Sequence, residues 1–235
     1  MSYNLIYVFD FDGVICNSID ECLITTYNAF YHTELININD IPEKFKVYFY
    51  KNRHHVRPAK EYYLICEGYR KQKELSFSVF DKMKADYSEK MNHFENLFCL
   101  KRNFLKGRPN TWLRYHKLYK HVAQFIKEFS HKFFIVTTKD RHSVEMLAKH
   151  FKFINKIENI FSSEISTNKA VLFKYLFDQY HNFIDENKII FVDDNEFHLA
   201  DVKSFPLELY FAKWGYAGRQ KFNDFQEVNS LMELM

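Results

Sequence analysis

The feature that most restricts the fold of this chain is a short apolar run that ends in two acidic residues. Residues 4–9 read NLIYVF, and Asp10, Asp12 and Gly13 follow directly. Aspartate and glycine are unfavourable inside a strand and favourable in the turn after it. Helical spacing of apolar residues begins soon afterwards, over residues 19–31. The pattern predicts a strand, a tight turn and a helix, with two carboxylates where the strand ends.

Apolar runs of strand length alternate with helical segments in the second half of the chain. We predict strands at residues 132–136, 157–161, 188–192 and 207–211. We predict helices at residues 119–129, 142–151, 167–180 with Thr167 as N-cap, and 220–234. Continuous apolar strands separated by helices are typical of a parallel sheet covered on both faces. The sequence therefore predicts an α/β fold.

A block of purely helical spacing lies between these two regions. From about residue 39 to residue 104, apolar and aromatic residues recur at helical intervals. Residues 106–110, KGRPN, interrupt this spacing, because glycine and proline punctuate helices. We predict a core domain formed by residues 1–16 and 106–235, with a helical domain inserted at residues 17–105.

Composition and charge narrow the classes of partner. The formal net charge is +3, so no strong field favours nucleic acid or an anionic membrane. The four cysteines lack CxxC spacing and provide no disulfide or zinc framework. The first residues do not resemble a signal peptide, and no apolar run reaches the length of a membrane span. We expect a cytoplasmic monomer or homodimer that binds neither nucleic acid nor membranes.

Polar side chains follow three of the predicted strands. They are Asp10, Asp12, Thr137, Thr138, Asp193 and Asp194. In parallel α/β sheets, ligands bind outside the carboxyl ends of the strands. Clustered carboxylates repel one another unless a cation lies among them, and hard oxygen ligands favour magnesium over zinc. A magnesium ion commonly completes its coordination with water and substrate phosphate. The sequence therefore predicts Mg²⁺ and a phosphorylated substrate.

Four sequence motifs in this order resemble those of the haloacid dehalogenase-like hydrolase superfamily. They are DFDGV at residues 10–14, FFIVTT at residues 133–138, Lys169 within STNKAVLFKYL, and IIFVDD at residues 189–194. The likeness is closest to the phosphoglycolate phosphatase and β-phosphoglucomutase-like branch, in which DFDGVI is soon followed by a serine, here Ser18. The resemblance implies a Rossmann-like three-layer core with a parallel sheet and an inserted all-helical cap domain.

The resemblance also implies catalytic and metal-binding roles. Asp10 would be the nucleophile that forms an aspartyl-phosphate. Asp12 would protonate the leaving oxygen and then accept a proton from the attacking water. The metal ligands would be the Asp10 side chain, the Asp12 backbone carbonyl and Asp194, with Asp193 supporting the ion through water.

The substrate phosphate would be bound by residues of the second and third motifs. Thr137, with Thr138 beside it, would donate to phosphoryl oxygens, and Lys169 would neutralise charge in the transition state. In the helical insertion, residues 43–60 are strongly basic. Arg53 is our candidate for the anionic end of a substrate, because a guanidinium matches phosphate or carboxylate. A solvated basic face explains this segment equally well.

Two places differ from the family pattern or are ambiguous. His198 stands where the family often has an acidic residue, four positions after Asp194. We interpret it as a surface or helix histidine and not as a ligand. Residues 214–218, WGYAG, resemble a loop that follows the last core strand in relatives, although an ordinary glycine-bearing turn accounts for them too.

The function predicted from these residues is magnesium-dependent hydrolysis of a small phosphorylated metabolite. A phosphomutase of the β-phosphoglucomutase type would use the same aspartyl-phosphate and stays open. A non-catalytic protein that binds a phosphate ligand also stays open, although the motif residues are intact. A receiver domain of two-component signalling is discounted, because too few residues follow Asp194 and the DxDG strand would be unexplained.

Overall fold

The computed structural model describes residues 5–184, 187–216 and 225–235. The chain divides into two units, one formed by Met1–Asn17 and Lys117–Met235 and the other by Ser18–His116. The return to the first unit therefore comes after His116 and not at residue 106. Gly107 follows the last residue of one helix, and Pro109 is the first residue of the next helix in the same unit. Proline is favoured at that first position. The second of these helices carries the fully buried Trp112.

Eight strands and ten α-helices are found among the described residues. The strands are β1 (Leu5–Phe9), β2 (Cys16–Asn17), β3 (Lys117–Leu118), β4 (Phe133–Val136), β5 (Ile157–Phe161), β6 (Lys188–Asp193), β7 (Glu208–Ala212) and β8 (Gln226–Val228). The helices are α1 (Ile19–Tyr31), α2 (Glu43–Asn52), α3 (Tyr62–Arg70), α4 (Phe77–Asp86), α5 (Ser88–Lys106), α6 (Pro109–Leu113), α7 (Lys120–Glu128), α8 (Arg141–His150), α9 (Lys169–Ile184) and α10 (Glu196–Asp201).

A parallel sheet forms the centre of the first unit. Among the described residues it has six strands in the order β5-β4-β1-β6-β7-β8, and each neighbouring pair is parallel. Strand β1 is central: Phe9 is in register with Ile135 of β4 and with Val192 of β6. Strands β2 and β3 form a separate antiparallel pair. The predicted parallel α/β sheet is confirmed.

Helices cover both faces of this sheet because successive strand side chains point to opposite faces. On one face, the ring centroids of Tyr7 and Phe9 lie 5.8 and 5.6 Å from that of Phe125 in α7. On the other face, Val8 belongs to a buried cluster that includes Phe173 of α9. Burying one such side chain contributes about 1.5–3 kcal/mol. The result is the predicted three-layer Rossmann-like core.

The structure corrects two predictions about helix ends. The helix predicted at residues 220–234 is wrong where it can be compared: residues 217–224 lie outside the described residues, and β8 and a 3-10 helix at Leu231–Leu234 follow. Buried Phe225, Val228 and Leu231 recur every three residues and so imitate helical spacing. Helix α9 is capped by Asn168, whose Oδ1 accepts from the Val171 N–H at 3.3 Å. The predicted cap, Thr167, lies one residue too early, and asparagine caps helices as well as threonine does.

The second unit is helical, as predicted. Its aromatic interior includes four buried phenylalanines from α2 and α5: Phe45, Phe49, Phe94 and Phe98. Within the described ranges of the whole chain, no helix combines the length and hydropathy needed to cross a bilayer.

A buried ion pair joins the first and last long helices of this unit. The Arg102 Nε and Nη2 atoms in α5 donate to the two carboxyl oxygens of Glu21 in α1, both at 2.9 Å. The Thr25 hydroxyl also donates to Glu21, at 2.8 Å. The guanidinium lies 4.6 Å from the ring centroid of Phe98. The Glu21 side chain has no exposed surface, and that of Arg102 is 13% exposed. The pair therefore cross-links α1 and α5 inside the helical unit.

Candidate active site

Three neighbouring strands bring the motif residues to one edge of the sheet. Strands β4, β1 and β6 are adjacent and parallel, so their carboxyl ends lie side by side. Thr137 follows β4, Asp10 follows β1, and Asp193 ends β6. The backbone continues the sheet pairing at this edge: the Asp10 N–H donates to the Val192 carbonyl at 3.0 Å, and the Thr137 N–H donates to the Phe161 carbonyl at 2.9 Å. The side chains at this edge consequently start from fixed backbone positions.

Lys169, the first residue of α9, connects these strands by its side chain. Its ammonium donates to Asp10 Oδ1 at 2.7 Å and to the Val136 carbonyl at 2.6 Å, and lies 3.2 Å from Asp193 Oδ2. The side chain has no exposed surface. A buried ammonium is tolerated when it is paired and hydrogen-bonded, and all three of its N–H donors have acceptors here. The structure thus brings Lys169, Asp10 and Asp193 together.

The charges of this buried group shift the pKa of each member. Burial raises the pKa of Asp10, and the nearby Lys169 ammonium only partly offsets this effect. Burial acts in the same direction on Asp193, but Lys169, His198 and the Asn195 N–H together lower its pKa to about 2. The two carboxylates raise the pKa of Lys169 although burial opposes that shift. One ammonium shared by two carboxylates leaves negative charge that favours a cation.

The Asp194 side chain lies against two glycines, Gly13 and Gly215, and a larger residue at either position would collide with it. Its Oδ2 atom accepts from the Tyr216 N–H at 2.6 Å. A Cβ atom at Gly13 would lie 2.3 Å from the same oxygen, and Gly13 has a φ of +92°. A Cβ atom at Gly215 would lie 2.1 Å from the Asp194 Cβ atom. Both glycines are therefore required for the position of this carboxylate.

The carboxylates of Asp10, Asp193 and Asp194 form the candidate metal site. One oxygen from each lies within 4.8 Å of the others, the one group of this kind found in the described part of the chain. All three are buried. Three carboxylate oxygens are the donor set of a hard cation and not of zinc. The residues present fit a bound divalent cation.

Asp12 has a partner that the sequence did not indicate. The Lys139 ammonium contacts both Asp12 carboxyl oxygens, at 3.0 and 3.2 Å. The backbone N–H of Lys139 donates to the Thr137 hydroxyl at 3.2 Å. Lys139 stands two residues after Thr137 in TTKD, and no periodicity marks it as buried. Only the parallel pairing of β1 with β4 brings it to Asp12.

Two further regions contribute to the site. His198, in α10, is buried, and its Nδ1 lies 3.2 Å from Asp193 Oδ2. It is a helix histidine, as one of our two interpretations had it, but it is not on the surface and it contacts a site residue. Residues 214–216, the described part of the loop at residues 214–218, pack on the chain that directly follows the DxDG motif. The Trp214 Nε1–H donates to the Val14 carbonyl at 3.0 Å, and the Tyr216 hydroxyl donates to the Cys16 carbonyl at 3.1 Å.

The site contacts described above involve neither Thr138 nor Arg53. Thr138 is half-buried beside Thr137. Arg53 lies in the helical unit, where its Nη1 donates to the Val56 carbonyl at 3.0 Å and its guanidinium lies 5.1 Å from the Tyr62 ring centroid. Their roles in phosphate binding stay predictions.

Comparison with known proteins relates the chain to others by structure. No family model and no curated protein sequence matches it. A haloacid dehalogenase-like hydrolase from Streptococcus pneumoniae is similar with a TM-score of 0.66 and 16% identity, over 99% of this chain and 97% of that one. A predicted phosphatase from Clostridium acetobutylicum has a TM-score of 0.64 and 16% identity, over 100% and 97%. An archaeal β-phosphoglucomutase from Pyrococcus has a TM-score of 0.57 and 14% identity, over 99% and 95%.

These similarities cover both units of the chain from end to end. They include proteins of the hydrolase and phosphoglucomutase types that the motifs of residues 10–14 and 189–194 resemble. At these identities the likeness concerns the fold. The chain has the fold of the haloacid dehalogenase-like hydrolases.

Proposed function

We propose that this chain is a magnesium-dependent phosphatase that hydrolyses a small phosphorylated metabolite through an aspartyl-phosphate. The observation that carries the proposal is the buried group at the end of β1, in which Asp10 meets Lys169 and two further carboxylates. A nucleophile, a cation site and a fixed ammonium are what phosphoryl transfer requires. Structural neighbours named as a phosphatase and a phosphoglucomutase support the same chemistry.

The reaction divides between Asp10 and Asp12. One Asp10 oxygen accepts from Lys169, and the other would attack phosphorus. As that bond forms, the bond to the leaving oxygen breaks, and this oxygen takes a proton from Asp12. Water then attacks the aspartyl-phosphate and gives its proton to Asp12, which releases phosphate and restores Asp10. Residues i and i+2 of an extended chain point the same way, which suits two side chains that act on one phosphoryl group.

The remaining residues of the site would bind the phosphoryl group and the ion. Mg²⁺ would neutralise the charge of carboxylates and phosphate, and Asp10, Asp194 and Asp193 would hold it. The Thr137 hydroxyl accepts from a backbone N–H; because a hydroxyl both accepts and donates, its O–H serves a phosphoryl oxygen. Lys169 would stabilise the charge that develops in transfer.

The helical unit would act as a cap that selects the substrate. Its basic segment, residues 43–60, would meet the anionic end of a metabolite through Arg53. Some of its cations already have acidic partners, since Lys46 lies 2.6 Å from Glu43 and Lys51 lies 3.2 Å from Glu74. Closure of such a unit would exclude water from the reacting groups.

Hydrolysis of 4-nitrophenyl phosphate by the whole chain tests this function. We expect activity that requires added Mg²⁺ and falls to background in Asp10→Asn. Asp178→Asn, an exposed aspartate of α9, is the matched control and should keep activity within about twofold of wild type. Turnover without any divalent cation, or full activity in Asp10→Asn, would refute the mechanism. Release of inorganic phosphate separates hydrolysis from the transfer that a mutase catalyses.

A further inference from the structure

Lys139 is a buried lysine that none of the four motif assignments includes. Its side chain is 1% exposed, whereas that of its partner Asp12 is 18% exposed. Burying an ammonium is costly unless it is paired and hydrogen-bonded. Its contacts to both oxygens of Asp12, at 3.0 and 3.2 Å, provide that pairing. The lysine thus belongs to the acid that would serve the leaving group.

The other buried lysine of the site is already committed elsewhere. Lys169 directs its ammonium to Asp10, Asp193 and the Val136 carbonyl. An ammonium has three N–H donors, so these acceptors account for all of them. Lys169 contacts Asp10 and Asp193, whereas Lys139 contacts Asp12.

The backbone of Lys139 is fixed on both sides. Its N–H donates to the Thr137 hydroxyl at 3.2 Å, and its carbonyl accepts from the Ser163 N–H at 3.3 Å. The next residue, Asp140, caps α8 by accepting from the Ser143 N–H at 2.9 Å. Residues held from both ends define the direction of their side chains. The Lys139 ammonium consequently starts from a rigid base.

We propose that Lys139 is the positioning residue for Asp12, which it orients for proton transfer to and from the substrate oxygen. The inference rests on the proposed phosphatase function. Lys139 keeps its own protons throughout. While Asp12 carries a proton on one carboxyl oxygen, Lys139 donates to the other oxygen. The leaving oxygen takes that proton as the bond between phosphorus and this oxygen breaks, and Asp12 becomes the carboxylate with which Lys139 pairs until the attacking water returns a proton. Loss of Lys139 should therefore matter most where the leaving oxygen needs that proton.

Leaving-group dependence separates this role from a structural one. Glycerol phosphate has a poor alkoxide leaving group, and 4-nitrophenyl phosphate has a good one that departs unprotonated. For Lys139→Met we expect kcat/KM to fall roughly tenfold to a hundredfold with glycerol phosphate and about threefold or less with 4-nitrophenyl phosphate. The ratio of the two values on one preparation does not depend on the folded fraction. If the Lys139→Met variant does not fold, Lys139→Gln takes its place in the same assay. Lys139→Arg should recover part of the activity that is lost in Lys139→Met.

The Asp12→Asn background and a surface lysine complete the test. If Lys139 acts through Asp12, Lys139→Met should cost about twofold or less in that background, because neighbours in one network are not additive. Lys132→Met, which removes an exposed lysine 3.2 Å from Glu158, should leave both substrates unaffected. Equal losses on the two substrates, or an undiminished loss in Asp12→Asn, would overturn the positioning role. A wild-type chain inactive on both substrates would instead refute the proposed function.

Discussion

Removal of Arg102 tests how strongly a buried ion pair stabilises the helical unit. Arg102→Met takes the guanidinium from a Glu21 carboxylate that has no exposed surface. Breaking a buried pair by deleting one partner costs about 3–5 kcal/mol. Because the Arg102 side chain is 13% exposed, water can reach the edge of the site, and we expect a value near the lower end, about 3 kcal/mol.

Thermal unfolding followed by circular dichroism measures this cost. For a chain of this size, each kcal/mol lowers Tm by about 2–4 °C, so we expect a decrease of roughly 6–12 °C. The double variant Glu21→Leu with Arg102→Met should recover to within about 1 kcal/mol of wild type, because well-packed apolar replacements of buried pairs are often neutral. Lys101→Met is the matched control on the same helix. Its partner Glu34, at 3.3 Å, is 63% exposed, so this change should cost less than about 1 kcal/mol.

Two results would refute this reasoning. The first is an Arg102→Met protein that unfolds at the wild-type temperature. The second is a double variant as unstable as the sum of its two single changes, since partners in direct contact must show a coupling energy. Either result would mean that the Glu21 charge is satisfied without the guanidinium.

Three further predictions concern single residues. Gly13→Ala should raise the Mg²⁺ concentration for half-maximal phosphatase activity at least about tenfold, because its Cβ atom displaces Asp194; unchanged metal dependence would contradict this. Hydrogen bonds from Arg70 lower the pKa of Glu67 from 4.5 to about 2, so this pair stabilises the fold above pH 4.5 and loses its effect as the pH falls towards 2. The advantage over Glu67→Gln is about 1 kcal/mol, because Arg70 is 57% exposed. Urea midpoints should show that this advantage is present at pH 5, above the ordinary pKa of 4.5, and is smaller at pH 3, inside the window between 4.5 and about 2. Asn168→Ala should lower the free energy of unfolding by about 0.5–2 kcal/mol, and an unchanged urea midpoint would show that α9 does not depend on its cap.

Much of the core could be predicted from the sequence because its strands are buried on both faces. Runs such as residues 133–136 and 189–192 are apolar without interruption, which is typical of parallel strands. Parallel strands place their carboxyl ends on one edge, so Asp10, Thr137 and Asp193 could be expected to lie together before any contact was known. The site residues that lie on the three central strands were therefore predictable.

The features that the sequence did not indicate depend on how the folded chain places its side chains and not on local spacing. Lys139 is 127 residues from Asp12, and no local spacing distinguishes a buried lysine from a solvated one. His198 is only five residues from Asp193, and it becomes a partner of that carboxylate because α10 begins directly after β6. Over residues 225–234, the described part of the helix predicted at residues 220–234, the prediction was wrong because Val228 and its apolar neighbours recur every three residues. A strand followed by a 3-10 turn produces that spacing as readily as a helix does.

The central place of β1 in the sheet also governs the order in which the chain can fold during synthesis. This strand precedes both of its sheet neighbours in the chain, β4 (Phe133–Val136) and β6 (Lys188–Asp193). The helical unit is continuous from Ser18 to His116 and emerges from the ribosome before either neighbour. Contacts between such distant segments are slow to form, and an unpaired apolar strand is prone to aggregation. Strand β1 therefore remains without its sheet partners until β4 has been translated, and nascent chains truncated before β6 should be the ones that need a chaperone.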